Sequence, residues 1–188
     1  MARNFQKSLM QSEFDGSKLT TGVFCSNYTD ENTHTLSECP DGAIVEIVDL
    51  MKSDLYGFKD PNVYAIKAPS ADNVEVAVVD YAGVSEGRIM NVNYREGTKL
   101  YGLEVPEGRQ TRVRRLCKHD TAYWSKDCFV GAAAEGKFAV PTVGDTKWTI
   151  VEAIDTTKTC IKLHFERAVT EGTVDKDTEF FCEVVNVI

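Results

Sequence analysis

Four arginines stand within seven residues, Arg109, Arg112, Arg114 and Arg115, in the stretch LYGLEVPEGRQTRVRRLCKHD from Leu100 to Asp120. Guanidinium is the side chain suited to bidentate pairing with carboxylate or phosphate. The cluster is therefore a nucleic-acid strip, an anion site or a strand face that meets an acidic partner. Beside it stand Cys117, His119 and Asp120, with Cys128 further on. A C-x-H followed by a later cysteine supplies three potential zinc ligands, but structural zinc sites use tighter paired spacings and a fourth ligand. Cys117 and His119 would share one face of a strand, as a thiol nucleophile and its base must, yet nothing in the sequence supplies the orienting third group. The segment VDKDTEF, Val174 to Phe180, alternates acids like a calcium loop but lacks the glycine of the sharp turn. His34 lies in the polar run TDENTHTLSECPDG. In CIKLHFERAV, His164 alternates with Lys162 and Glu166 on a face expected to meet solvent. The chain holds no G-x-S-x-G, P-loop, G-x-G-x-x-G or H-E-x-x-H pattern. The expectation is a non-enzymatic protein with no metal and no cofactor.

The bulk properties narrow the choice. The 188 residues carry 21 Lys and Arg against 29 Asp and Glu, a formal charge of −8. That balance argues against bulk nucleic-acid binding, which favours net positive charge. The longest apolar runs, such as VEVAVV, are too short to span a bilayer, and the N-terminus lacks the apolar core of a signal peptide. A chain made in a cytoplasm keeps its thiols reduced. Cys25, Cys39, Cys117, Cys128, Cys160 and Cys182, with no C-x-x-C pair, are therefore expected to be free, mostly buried thiols.

The elements that must position these groups are strands. Residues 1–20 read as a polar arm whose Phe5, Leu9 and Phe14 make a loose helical stripe up to the turn DGSK. The arm either docks on a neighbour or packs on its own domain as a short helix. From residue 21 onward AIVEIVDL, VYAIKA, VEVAVVDYAGV, RQTRVRRLCK, DTAYWSKDCFV, KWTIVEAID, CIKLHFERAV and EFFCEVVNVI are rich in β-branched and aromatic residues. DPN (60–62), PSADN (69–73) and PEG (106–108) read as turns, Gly97, Gly102 and Gly108 as turn glycines, and Leu50 to Gly57 as a short helical piece. The predicted fold is mainly β, an antiparallel barrel or sandwich behind an N-terminal arm, with a possible division into two small barrels near 106–108. TRVRRL would carry charge on both strand faces, which predicts a sheet edge or a bulge.

The order DGAIVEIVDL, VYAIKAPSADNVEVAVVDYAG, VPEGRQTRVRRLCKHDTAYWS and GKFAVPTVGDTKWTI resembles the capsid decoration, or auxiliary head, proteins of tailed bacteriophages. The likeness covers roughly Gly42 to Ile150. It rests on a G-x-x-V opening strand (Gly42 to Val45), a central strand alternating Arg with apolar residues (Arg112 to Asp120) and a late glycine-rich turn before an aromatic strand (Gly136 to Trp148). The resemblance implies a virion protein made in the host cytoplasm that binds the outside of an expanded capsid, as a dimer or trimer. Its partners would be the major capsid protein and its own copies, without direct contact to nucleic acid or membrane. Arg109, Arg112, Arg114 and Arg115, with Phe5 and Leu9 of the arm, are the residues expected at such interfaces. A head-fibre or tail-associated component shares this composition. The other reading is a cytoplasmic β-barrel binding a small molecule, glycan or protein, with Tyr123, Trp124 and Trp148 at its surface.

Overall fold

The computed structural model describes residues 8–10, 19–52, 59–80, 104–171 and 175–188. Among them there is no α-helix, and none is long and apolar enough to cross a membrane. Fifteen strands follow in order: β1 (Ser8–Met10), β2 (Leu19–Asp30), β3 (Thr33–Leu36), β4 (Cys39–Pro40), β5 (Ile44–Lys52), β6 (Lys59–Lys67), β7 (Val76–Asp80), β8 (Glu104–Val105), β9 (Thr111–Arg115), β10 (Thr121–Ser125), β11 (Phe129–Val130), β12 (Phe138–Pro141), β13 (Trp148–Val151), β14 (Cys160–Glu171) and β15 (Asp175–Asn186). The mainly-β expectation holds, in the form of a closed five-stranded barrel and a second sheet curled into a half-barrel.

The barrel runs β2-β6-β5-β7-β9 and closes where β9 pairs back onto β2, Leu19 opposite Arg114 and Gly22 opposite Thr111. Only the β2–β6 contact is parallel within this ring. Phe24, Val45, Ile66, Ala77, Val79 and Val113 pack together as one buried cluster inside it. At Gly22 the walls approach closely, since a Cβ there would stand 2.8 Å from Val113 Cγ2 and 2.9 Å from Ile66 Cγ2.

The second sheet has the order β1-β10-β15-β14-β12-β13-β11. Its inward residues Ala122, Trp124, Phe129, Trp148, Ile161, Leu163, Phe180, Cys182 and Val184 form one cluster with Ile44, Val76 and Val78 of the barrel. Strands β5 and β7 are thus buried on both faces, Val45, Ala77 and Val79 inward and Ile44, Val76 and Val78 outward. This double burial explains the continuous apolar run VAVV, a pattern ordinarily met in strands covered on both sides. Backbone bonds tie the sheets as well, Ile44 N to Thr146 O (2.8 Å) and Gly144 N to Pro69 O (2.9 Å).

Several local expectations are corrected. Ser8–Met10 is not a helical turn but a strand antiparallel to β10, Leu9 opposite Tyr123. Phe5, Phe14, the DGSK turn, Gly97 and Gly102 lie outside the described residues. DPN is not a turn. It lies within β6, in the interval between the Lys52–Lys59 and Leu50–Tyr64 pairings where the register breaks and Pro61 removes no regular ladder bond. Leu50 to Lys52 extend β5 instead of opening a helix, and residues 53–58 are not described. DTAYWSKDCFV is two strands separated by one 3₁₀ turn, Lys126–Cys128. The PEG turn forms as expected, closed by Arg109 N to Pro106 O at 3.0 Å with Gly108 at φ 69°. It joins β8 to β9, and β9 completes the barrel begun by β2.

Gly22→Val should lower stability by about 1–3 kcal/mol through overpacking. Chemical denaturation should show a lower midpoint at unchanged slope, because only the fit of Val113 and Ile66 is disturbed.

Candidate functional site

The arginine strand is not an edge. β9 is paired on both sides, with β7 and β2, and Val113 alternates into the barrel interior. The outward Arg112 and Arg114 lie opposite β7 and β2 and converge on one carboxylate, with Nη2 to Asp80 Oδ2 at 3.0 Å and 3.6 Å. Arg115 Nη1 meets Glu75 Oε1 at 2.9 Å, and Arg109 is exposed beside its turn. The strand therefore carries charge on both faces because one residue, Arg115, leaves at the barrel rim while the other two cross-link neighbouring strands.

The thiols are free. Cys25, Cys39, Cys128, Cys160 and Cys182 are buried and Cys117 is half-buried. Burial pushes the Cys25 thiol up to about 11, and raises Cys160 and, further, Cys182, the last also through its neighbour Cys128. Such groups are poor nucleophiles at neutral pH. Cys117 and His119 do not share a strand, since β9 ends at Arg115 and both sit in the following turn. Cys128 belongs to the core while His119 is 72% exposed, and no group of three or more Cys, His, Asp or Glu among the described residues is arranged to hold a metal ion. Trp124 and Trp148, expected at a binding surface, are fully buried and meet edge-to-face at 5.7 Å. They form the centre of the core.

What the structure assembles instead lies on the outward face of β10, β15 and β14. Adjacent aromatic pairs on a strand must send one ring each way. Trp124 and Phe180 turn in, so Tyr123 and Phe181 turn out, with ring centroids 5.1 Å apart. Phe165 stacks on Phe181 at 5.0 Å and 19° and is 42% exposed. Arg167 lies with Cζ 3.9 Å above the Tyr123 ring while its Nη2 donates to buried Glu179 at 2.7 Å. This is a cation–π contact held in place by an ion pair.

Next to these rings, two imidazoles grip one carboxylate. His119 Nδ1 and His164 Nε2 each lie 2.8 Å from an oxygen of Glu183, Oε1 and Oε2 respectively. Both depend on an irregular backbone. His119 is the one non-glycine residue at positive φ, 73°, among the described residues. Its turn is fixed by Asp120 N to Cys117 O (3.0 Å) and Cys117 N to Asp120 Oδ2 (2.8 Å). His119 N to Val184 O and Val184 N to Asp120 O, both 2.8 Å, then extend the β10–β15 ladder and set the ring beside Glu183. His164 occupies the register shift of β14 between Leu163 and Phe165, a bulge that re-aims its ring. The two hydrogen bonds, His119 first and then His164, hold the Glu183 carboxyl below the usual glutamate range. The sequence signal for the aromatics was the pairs YW and FF; no sequence signal joined His119 to a glutamate 64 residues away.

No protein-family model, no curated protein and no solved structure matches this chain.

Two outcomes follow. Glu183 has a depressed folded value, so its stabilisation is complete above the ordinary 4.5 and disappears as pH falls through the lowered one. Acid titration of wild type against Glu183→Gln should show the wild-type advantage, at most about 1 kcal/mol for a partly exposed cluster, vanishing as pH falls through the lowered Glu183 value. Native protein treated with a thiol reagent near neutral pH should react about once, at Cys117, and take up the remainder only on unfolding.

Proposed function

We propose that this chain is a non-catalytic structural component of a tailed-bacteriophage virion that decorates the capsid and stabilises it by contact with the major capsid protein and with its own copies. The observation that carries an assembly role is the outward aromatic face of β10, β15 and β14, where Tyr123, Phe165 and Phe181 cluster beside Arg167. Aromatic residues and arginine are the side chains enriched at protein contacts. Elsewhere the residues suited to chemistry are engaged in the fold: five thiols and both tryptophans are buried, and Arg112, Arg114 and Arg115 have partners in their own chain. The formal charge of −8 suits a particle exterior that stays soluble and does not adhere to DNA. The resemblance to decoration proteins supplies the virion context, and repeated copies on one shell convert modest contacts into firm retention.

A binding module for a small molecule, glycan or protein is the second reading, and exposed Phe165 is the feature that favours it. It now rests on this one patch, since Trp124 and Trp148 are unavailable at the surface.

The test is retention on expanded shells of the major capsid protein encoded in the same genome, with solution mass measured by light scattering across salt. Wild type should be retained, and Phe165→Ser should weaken retention roughly tenfold while leaving the fold intact. Replacing Arg112, Arg114 and Arg115 together by Gln should reduce stability by about 1–3 kcal/mol, because Asp80 loses charged hydrogen-bond partners. Retention unaffected by Phe165→Ser and abolished in a still-folded triple Gln variant would instead return the contact to the arginine strand. No retention of folded wild type on the shells would remove the decoration role.

A further inference from the structure

Two hydrogen-bond donors stand unanswered at the centre of the core. Trp124 and Trp148 are fully buried, and the indole Nε1 of each has no hydrogen-bond partner among the described residues. A buried tryptophan ordinarily finds an acceptor for this N–H. An indole nitrogen donates and does not accept, so neither serves the other. Their ring contact does not account for both. In an edge-to-face pair one ring turns its edge and the other its face, so only the first can aim an N–H at its neighbour's π system. The rest of the cluster is aliphatic or aromatic except for two thiols. Cys182 Sγ donates to Phe180 O at 3.5 Å, and Cys128 Sγ pairs with Ser125 Oγ at 3.5 Å. Packing does not call for the donors either, since Phe129 and Phe180 make a similar edge-to-face contact at 5.7 Å in the same cluster with no polar atom. Leaving a buried donor unpaired costs more than the bond contributes when it is made.

We propose that Trp124 and Trp148 belong to an internal binding site, between the second sheet and the shared β5–β7 wall, for a small neutral molecule that offers an oxygen as hydrogen-bond acceptor. The surroundings set the class. Ile44, Val76 and Val78 on one side and Phe129, Phe180 and Leu163 on the other form an apolar lining with two donors, the composition of a small-molecule site. An ion held among these side chains would lack a counter-charge. Water meets the requirement, and so does the oxygen of a small alcohol or carbonyl compound. A buried water ordinarily makes about three hydrogen bonds. The Cys128 and Cys182 thiols, weak donors and acceptors, are the further polar atoms of the cluster. Burial raises the Cys182 thiol well above its ordinary value, so it stays protonated and neutral beside such a guest. The site goes beyond the assembly role, because it lies on the inner face of the second sheet and uses none of Tyr123, Phe165 or Phe181.

The experiment is nuclear magnetic resonance on the nitrogen-labelled full chain, paired with native mass spectrometry. The sequence holds two tryptophans, so the folded protein gives two indole N–H signals. Trp124→Phe or Trp148→Phe, whichever folds, assigns both. At least one signal should lie downfield, as a hydrogen-bonded indole does. Resident water should then give that N–H a cross-peak to the water resonance in the folded protein. A resident organic molecule should instead add its mass to the native ion and be lost on unfolding. An N–H aimed at a ring moves upfield and separates that arrangement from an oxygen acceptor. Two indoles without a downfield shift, with no cross-peak to water and a native mass equal to the bare chain, overturn the proposal. That criterion covers both signals together, so it holds even where neither Phe variant folds. The measurement uses the isolated chain, so its outcome is independent of retention on a shell.

Discussion

The wall formed by β5 and β7 is the constraint on which the rest of the structure depends. Its residues serve two cores at once, Val45, Ala77 and Val79 filling the barrel and Ile44, Val76 and Val78 meeting Trp124, Trp148 and Phe180 of the second sheet. Burying apolar surface on both faces contributes about 25 cal/mol per Å² on each. Neither face can therefore accept a polar residue without leaving a hole or an unpaired group. The half-barrel is fixed against the barrel by this shared wall and by the backbone bonds at Ile44 and Gly144. With its inner face fully committed, the second sheet has one face left to present outward, and that face holds the aromatic rings and the histidine–glutamate cluster.

The fold class was legible because it follows from local chemistry. Alternating apolar residues, β-branched runs and turn signals such as PSADN and PEG gave the β character and most strand positions. Legibility failed where tertiary pairing decides. VAVV has no alternation to read, since both sides are covered. Pro61 resembles a turn residue until the broken register of β5 and β6 gives it a place in a strand. Arg112 and Arg114 look like edge protection until Asp80, on the neighbouring strand β7, accounts for both.

The candidate site was legible by half. Tyr123 stood out in the sequence, and the FF and YW pairs carry the physical reason for an outward aromatic row: one ring of each pair has no choice of side. His164 was read from alternation as a surface residue, and it is partly exposed, but the bulge gives it a specific partner. His119 drew notice for its neighbours Cys117 and Cys128, whereas its actual partner is Glu183, brought across by the β10–β15 ladder. Long-range pairing and a positive φ at a non-glycine residue leave no mark in composition or spacing.

Closure of the barrel has a consequence for the order of folding. β14 and β15 are neighbours in sequence and form the most extensive pairing among the described residues, from Cys160–Asn186 to Glu171–Asp175. Their loop-closure entropy is small, so this ribbon is suited to form early. Within the barrel β2 waits longest: it can complete the ring only when β9, from Thr111 onward, has been synthesised and brought back to Leu19–Gly22. Until then the unpaired sides of β2 and β9 are open strand edges, the kind that template pairing between chains. The interval between emergence of β2 and arrival of β9 is therefore a period of exposure to misassembly. Ring closure then removes those edges from reach.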